Sequence, residues 1–295
     1  MTPKFVLTHR RAVLLMVGVT LMWSMAGVVT RHLEQARSFE VTFWRSFFTA
    51  LSLLVLLPLM HGRGTLAAVR RGGALLLASG LVWAGMFTFF MLALTLTSVA
   101  NVLVISALMP LFTALGARLF IGHTIERRTW LAIVVAGMGM VYMYGSQFGQ
   151  GINLLGALAA LAVPIGGAAN WTINQHAHRH GQHVDLIPAV LIGGMVSAAV
   201  TLPVAWPLQA SGHDVALLAL LGLVQLALPC TLAIVCARVL KAPEMALLGL
   251  LEVIFGILLA WLGAGEVPGH NVWAGGTLVI AALVFNEWMA WRGRP

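Results

Sequence analysis

The sequence has 295 residues, of which 60% are hydrophobic and only 9% charged, and its mean hydropathy is +0.94. A soluble domain carries about 25% charged residues, so this composition excludes a water-soluble enzyme. The formal net charge of +8 would suit a nucleic-acid-binding protein. The basic residues, however, collect on one side of the apolar segments described next, so we expect no nucleic-acid partner.

Ten apolar segments follow one another along the chain, separated by charged residues, glycine or proline. A membrane-spanning helix needs about 20 apolar residues, and each segment is close to that length. The fold class predicted is therefore an all-α integral membrane protein with ten transmembrane helices. The predicted spans lie near residues 12–32, 40–60, 73–95, 98–120, 129–145, 153–175, 184–205, 215–237, 243–263 and 271–291.

The lysines and arginines are divided unevenly between the two sides that ten spans define. Fourteen fall on the side of the two termini, only Arg31 and Arg37 fall on the other side, and Arg45 lies within the second span. Short loops rich in lysine and arginine stay in the cytoplasm. We therefore expect a multi-pass protein of the bacterial inner membrane with both termini in the cytoplasm.

The two halves of the chain align without gaps at an offset of 143 residues, which indicates an internal repeat. Because each half holds five spans, the second half enters the membrane inverted, which is typical of secondary transporters with a substrate site near the midplane. We predict a first repeat over 1–145, a linker over 146–152 and a second repeat over 153–295. The matches of less common residues are Phe112 with Phe255, Gly122 with Gly265 and Trp130 with Trp273.

Several short motifs resemble the EamA domain of the drug/metabolite transporter superfamily. In the first half they are Met22-Trp23-Ser24, Phe43-Trp44-Arg45-Ser46-Phe47, Ala93-Leu94-Thr95-Leu96-Thr97-Ser98-Val99-Ala100 and Met109-Pro110-Leu111-Phe112-Thr113-Ala114. In the second half they are Leu250-Leu251-Glu252-Val253-Ile254-Phe255, with Val253 in place of the family's proline, and Gly265-Glu266 followed by Trp273-Ala274-Gly275. The resemblance implies two inverted five-helix repeats and transport of small metabolites. The content of tryptophan and phenylalanine is also similar to that of bacterial aromatic amino-acid exporters.

Two ionisable residues lie inside the predicted spans. A carboxylate within a membrane helix is costly, so Glu252 in the ninth span is either a functional group, such as a proton-linked gate or a partner for a substrate amine, or a protonated group that holds helices together. Arg45 has four interpretations: pairing with Glu40, capping of carbonyl groups, extension to the lipid headgroups, or binding of a substrate carboxylate.

Aromatic and amide side chains supply the remaining candidates for a substrate-binding site. Trp83 and Phe87 share one face of the third span, and Trp23 and Trp171 come from the first and sixth spans. The alternative for each aromatic residue is ordinary packing. Asn101, Asn170 and Asn174 either line the pathway or form hydrogen bonds between helices. The full set of predicted substrate-binding residues is Trp23, Trp83, Phe87, Asn101, Asn170, Trp171 and Glu252.

Prolines within three spans predict kinks, because each proline removes one backbone hydrogen bond of the helix. These are Pro110, Pro164 and Pro229, which leave the carbonyl groups of Ser106, Ala160 and Gln225 without their helical donors. Kinks at such positions would suit a carrier that bends around a central cavity.

Of the functions weighed, export of small metabolites, most plausibly aromatic or other neutral amino acids, explains the repeat and the charge pattern best. Multidrug efflux is the alternative within transport. A membrane-embedded lipid-modifying enzyme would need an acid/base pair, and the predicted spans hold no His/Asp or His/Glu pair.

The histidines at positions 176, 178, 180 and 183 are more typical of a solvated loop than of a metal site. We expect no cofactor, no bound metal and no catalytic residues, and a monomer with a dimer as the alternative, whose partners are the substrate and the lipid bilayer.

Overall fold

A computed structural model describes residues 7–61, 65–97, 99–122, 124–145, 154–179, 184–264 and 269–292. All regular elements within these ranges are helical, which confirms the predicted all-α class. The first seven are α1 (His9–Thr30), α2 (Ser38–His61), α3 (Thr65–Leu96), α4 (Val99–Ser106), α5 (Met109–Ile121), α6 (Arg127–Tyr144) and α7 (Leu154–Arg179). The other six are α8 (Pro188–Ala205), α9 (Gly212–Leu220), α10 (Leu228–Cys236), α11 (Ala242–Gly249), α12 (Leu251–Ala264) and α13 (His270–Arg292).

Three of the predicted spans are interrupted. The fourth is divided into α4 and α5 just before Pro110, and the eighth contains a π-helical segment, Leu221–Ala227, just before Pro229. Both breaks agree with the kinks expected from proline, whereas α7 continues through Pro164. The ninth span is divided at Leu250, although no proline stands there.

Within the described ranges, nine segments are long and apolar enough to cross a membrane. The fifth predicted span corresponds to α6, an 18-residue helix that packs along α13. Large apolar side chains point outward around the bundle: Leu59, Leu119, Leu154 and Leu262 are 75–77% exposed. Such an apolar outer surface is stable in lipid and not in water, so the chain is a multi-pass membrane protein.

Close contacts between helix backbones hold the bundle together. A Cβ atom at Gly139 of α6 would lie 2.7 Å from the carbonyl oxygen of Gly275 in α13. On α8, a Cβ atom at Gly194 would lie 3.0 Å from the carbonyl oxygen of Ser46 in α2. Small residues permit this approach, whereas a Cβ atom at Gly137 would meet nothing within 4 Å.

One face of the bundle is closed by two buried carboxylates, which we call the carboxylate clamp. Asp214 of α9 accepts hydrogen bonds from the backbone N–H groups of residues 34, 35 and 36, at 2.8–2.9 Å, in the loop between α1 and α2. Conversely, Glu40 of α2 accepts from the backbone N–H groups of Gln209 and Ala210 in the loop between α8 and α9. Each loop is therefore fixed by an acid from the other half of the chain.

The opposite face carries the beginning of α1 and the end of α13, and we call it the terminal face. It is tied by ion pairs, of which the pair of Lys241 with Glu126, at 3.4 Å, has both side chains nearly half exposed. Glu126 also accepts a hydrogen bond from Arg128 at 2.6 Å, which lowers the pKa of Glu126 below its ordinary value. His9 lies 3.4 Å from Glu244 on the same face. The two faces are thus closed by different kinds of contact.

Candidate functional site

Three of the predicted aromatic residues form one cluster in the middle of the bundle. The ring of Trp83 is 5.6 Å from that of Phe87 and 6.1 Å from that of Trp171, which meets it edge to face. All three side chains are buried, and the indole N–H of Trp83 is buried without a hydrogen-bond partner in the described part of the chain. This aromatic cluster therefore has an unused donor among its rings.

The asparagines of α7 join this region to α3. Asn170 accepts a hydrogen bond from the hydroxyl group of Ser79 at 2.7 Å, and its amide donates to the sulfur of Met86. Asn174 donates back to the carbonyl oxygen of Asn170. These contacts match the interhelical hydrogen bonding that the sequence offered as one of two interpretations, so Asn170 fixes α3 against α7 beside the aromatic cluster.

Asn101 lies apart from the aromatic cluster. Its side chain is buried near the beginning of α4 and donates to the hydroxyl group of Thr97 at 2.7 Å. Its neighbour Val102 belongs to a separate hydrophobic cluster that includes Ala93 and Ala160. The structure thus does not bring Asn101 together with the other predicted site residues.

A second set of residues converges beside the aromatic cluster, and we call it the central group: Trp23, Arg45, Gln225, Cys230 and Glu252. Trp23 packs against the hydrophobic cluster that contains Trp83, Trp171 and Cys230. The charges of Arg45 and Glu252 act on each other and on that thiol. The first, second, eighth and ninth predicted spans therefore meet here.

Arg45 is buried, yet it does not take the partner proposed for it from the sequence. Glu40 binds the α8–α9 loop instead, as described above, and the Nε atom of Arg45 has no hydrogen-bond partner within the described ranges. Glu252 is half-buried, and no ion pair within 4.0 Å joins it to Arg45 in those ranges. A buried guanidinium with an unused donor near a carboxyl group is suited to a zwitterionic ligand.

Gln225 is a member of the central group that sequence reasoning missed. It lies in the π-helical segment, where its amide nitrogen donates to the carbonyl oxygen of Trp23 at 3.4 Å and its amide oxygen is buried without a partner among the described residues. The available signal was Pro229, four residues later, which predicts an irregular helix at Gln225 but says nothing about its side chain.

The structure also contains acid–histidine pairs that the sequence did not predict. His9, which precedes the first predicted span, and Glu244 come together at the beginnings of α1 and α11. On the clamp face, Glu34, His213 and Asp214 lie close enough to share a metal ion. The oxygens of Asp214 already accept hydrogen bonds from backbone N–H groups, however, so this cluster acts as a loop anchor.

Two residues of the predicted histidine loop, 180 and 183, lie outside the described residues.

A cleft of about 870 Å³ opens on the side of the bundle, next to the break between α4 and α5. It is lined mainly by apolar side chains of α4, of the break after it and of α6, with Tyr142 of α6 and Asn271 of α13 among its lining residues. None of the predicted substrate-binding residues lines it, and its apolar walls face the lipid. The chemistry available to a polar substrate therefore lies in the central group rather than in this cleft.

Residues 10–145 match the EamA-like transporter family. The chain is 29% identical over 275 residues to an S-adenosylmethionine uptake transporter of Rickettsia felis, covering 88% of this chain and 86% of that protein. It is 28% identical to the S-adenosylmethionine uptake transporter of Rickettsia conorii, over the same shares of the two chains. A third, from Rickettsia prowazekii, is 27% identical over 271 residues, covering 89% of this chain and 87% of that protein.

A crystal structure of another protein has the same fold. It superimposes with a TM-score of 0.79 at 18% sequence identity, and the match covers 96% of this chain and 99% of that one. The agreement extends over both halves of the chain, so the whole bundle, and not only its first half, has a known architecture.

Proposed function

We propose that this chain, whose residues 10–145 match the EamA-like transporter family, is a secondary carrier whose substrate is S-adenosylmethionine or a closely related adenosylated amino acid. Transport by a membrane protein of this family, rather than an enzymatic reaction, is the premise. The observation that carries the choice of substrate is the central group, in which the buried Arg45 and the carboxyl group of Glu252 lie within electrostatic range of each other and Trp23 supplies an indole ring.

The substrate offers a complement to each of these groups. S-adenosylmethionine carries a carboxylate, an ammonium group, a sulfonium cation and an adenine ring. Arg45 has an unused donor for the carboxylate, and Glu252 supplies the opposite charge for the ammonium or sulfonium group. The faces of Trp23 and its aromatic neighbours attract a cation and stack on a planar base.

The direction of transport that we propose is uptake. The relatives from Rickettsia species are named for uptake of S-adenosylmethionine, and none of the similarities described above supports export of amino acids. S-adenosylmethionine nevertheless carries the α-amino acid head group that an amino-acid carrier would bind. The sequence-based expectation of an amino-acid substrate is thereby narrowed to an adenosylated one.

We propose further that the two halves are inverted repeats that exchange roles during alternating access, with both termini in the cytoplasm. The break in the ninth span, at Leu250, follows the break at Ala107 in the fourth span by the same 143 residues as the sequence offset. The packing is also reciprocal: α3 packs on α7 as α10 packs on α1, and α5 packs on α7 as α12 packs on α1. Interrupted helices in corresponding positions mark the binding site in many secondary transporters.

The proposal is tested by counterflow of radiolabelled S-adenosylmethionine in liposomes that contain the purified protein. We expect wild-type protein to exchange the label, and Arg45→Gln and Glu252→Gln to lose at least about tenfold in apparent affinity, because each variant removes a charge-assisted contact. Arg127→Gln is the matched control, since Arg127 is an exposed arginine at the beginning of α6.

Absence of exchange by well-folded wild-type protein would refute the substrate. Equal transport by wild type and both site variants would refute the binding role of the central group. Repeating the assay with and without a pH gradient decides whether Glu252 couples protons to transport, since Glu252→Gln would then abolish gradient-driven accumulation, while exchange at saturating substrate would continue.

A further inference from the structure

We infer that Gln225 is the residue that selects the base of the substrate, by pairing its side-chain amide with the edge of adenine. This inference rests on the proposed function, because it assumes an adenosylated substrate in the central group. It adds a specificity-determining residue whose position follows from the π-helical segment of the eighth span.

The side chain of Gln225 is buried but only partly used. It is 5% exposed, its amide oxygen accepts no hydrogen bond from the described residues, and its amide nitrogen donates over a long 3.4 Å to the carbonyl oxygen of Trp23. A buried polar atom without a partner costs free energy, so such atoms are usually satisfied by protein, water or ligand. Gln225 can therefore offer both a free acceptor and a loosely held donor to a ligand.

A second buried glutamine shows what a purely structural role looks like in this protein. Gln175 of α7 is 8% exposed, and its amide oxygen accepts the backbone N–H of Ala242 at 2.9 Å, at the beginning of α11. That contact satisfies an N–H group at a helix terminus, where no intrahelical acceptor exists. Gln225 has no corresponding task, since its oxygen caps no helix.

The backbone around Gln225 is held in place before any ligand binds. Pro229 has no N–H group to donate to the carbonyl oxygen of Gln225, and the helix widens so that the N–H of Leu228 reaches the carbonyl oxygen of Leu223. The segment is fixed against α2, because Thr49 donates to the carbonyl oxygen of Gly222 at 3.0 Å. π-helical turns of this kind often occur at functional sites.

Adenine fits the groups that Gln225 presents. A glutamine amide pairs with adenine through two hydrogen bonds, in which its oxygen accepts from the exocyclic amine and its nitrogen donates to the ring nitrogen N7. The amide of Gln225 reaches the backbone of Trp23, a residue whose indole can stack on the base. Hypoxanthine has a carbonyl oxygen in place of the amine, so it would face the amide oxygen of Gln225 with a second acceptor.

The test compares two competitors that differ only in the base. Counterflow of radiolabelled S-adenosylmethionine is measured in liposomes containing wild type, Gln225→Leu or Gln175→Leu, with S-adenosylhomocysteine or S-inosylhomocysteine as the competitor. We expect wild type to bind the adenine compound about tenfold more tightly than the hypoxanthine compound. Gln225→Leu should reduce that ratio to about threefold or less, while Gln175→Leu should lose folded protein and keep the wild-type ratio.

Each other outcome overturns a different statement. If wild type exchanges S-adenosylmethionine and Gln225→Leu keeps the wild-type preference for adenine, the selecting role of Gln225 is wrong and the proposed function stands. If Gln225→Leu weakens both competitors equally, Gln225 serves a part of the substrate other than the base, and the inference is wrong as well. If wild type does not exchange S-adenosylmethionine at all, the proposed function fails and this inference fails with it.

Discussion

The contact between α6 and α13 makes a quantitative prediction about packing. A methyl group added at Gly139 would lie 2.7 Å from the carbonyl oxygen of Gly275 and 2.9 Å from a methyl carbon of Val279. Carbon atoms prefer separations of about 3.5 Å or more, so the two helices would have to part by roughly 0.5–1 Å. Overpacking of this kind costs about 1–3 kcal/mol, and we expect Gly139→Ala to lower the free energy of unfolding by that amount.

The assay is thermal unfolding of the purified protein in detergent, followed by tryptophan fluorescence. We expect the midpoint temperature of Gly139→Ala to fall by several degrees, since about 1 kcal/mol corresponds to roughly 2–4 °C in a domain of 150–250 residues. Gly137→Ala is the matched control, because a Cβ atom there would have nothing within 4 Å. An equal midpoint for the two variants, or a larger loss at Gly137, would refute the packing argument.

Two further predictions concern the faces of the bundle. Glu40→Ala leaves the backbone N–H groups of Gln209 and Ala210 without an acceptor, which costs about 1–3 kcal/mol for each group. We therefore expect a lower midpoint temperature of unfolding and faster proteolysis in the loop between α8 and α9. Glu40→Gln should lose less stability, because its amide oxygen can still accept. An unchanged midpoint in Glu40→Ala would contradict the clamp. Because the folded-state pKa of Glu126 is lowered, its stabilising contribution is present above the ordinary carboxyl pKa and is lost as the pH falls through the lowered value. We expect Glu126→Gln to be less stable than wild type at pH 7, by under about 1 kcal/mol, and a difference that persists unchanged in acid would contradict this.

The fold could be predicted from the sequence because the length of an apolar segment determines locally whether that segment forms a membrane-spanning helix. A segment of about 20 apolar residues must cross the bilayer as a helix whatever its neighbours are, so the spans were predictable one by one. The interruptions before Pro110 and Pro229 were predictable for the same reason, since a missing N–H group acts on its own helix. The break at Leu250 was not, because Val253 stands where the family has proline and no local residue forbids a continuous helix.

The candidate site was predictable only in part, because its contacts join residues far apart in sequence. Trp83, Phe87 and Trp171 were identified as bulky aromatic residues inside spans, and they do meet. Asn101 was chosen on the same argument, yet it bonds to Thr97 in its own neighbourhood. Gln225 was missed because its chemical state depends on which partners it lacks, and only three-dimensional packing reveals a missing partner.

The unequal closure of the two faces has a kinetic consequence. The clamp face is held by buried carboxylates that bind backbone N–H groups. The ion pairs of the terminal face range from the largely buried His9–Glu244 pair to the exposed Lys241–Glu126 pair, and exposed pairs are weak. In the alternating-access cycle proposed above, we therefore expect the empty carrier to favour opening at the terminal face. Only molecules open to a given side can bind substrate from that side, so the apparent affinity differs between the two sides of the membrane.

That bias sets no direction for net transport. A carrier without a coupled ion equalises the substrate concentrations on its two sides however unevenly its own conformations are populated. Asymmetry of this kind instead sets the substrate concentration at which the carrier saturates from each side. The accumulation of substrate must come from a gradient or from its consumption inside the cell, and not from the shape of the protein.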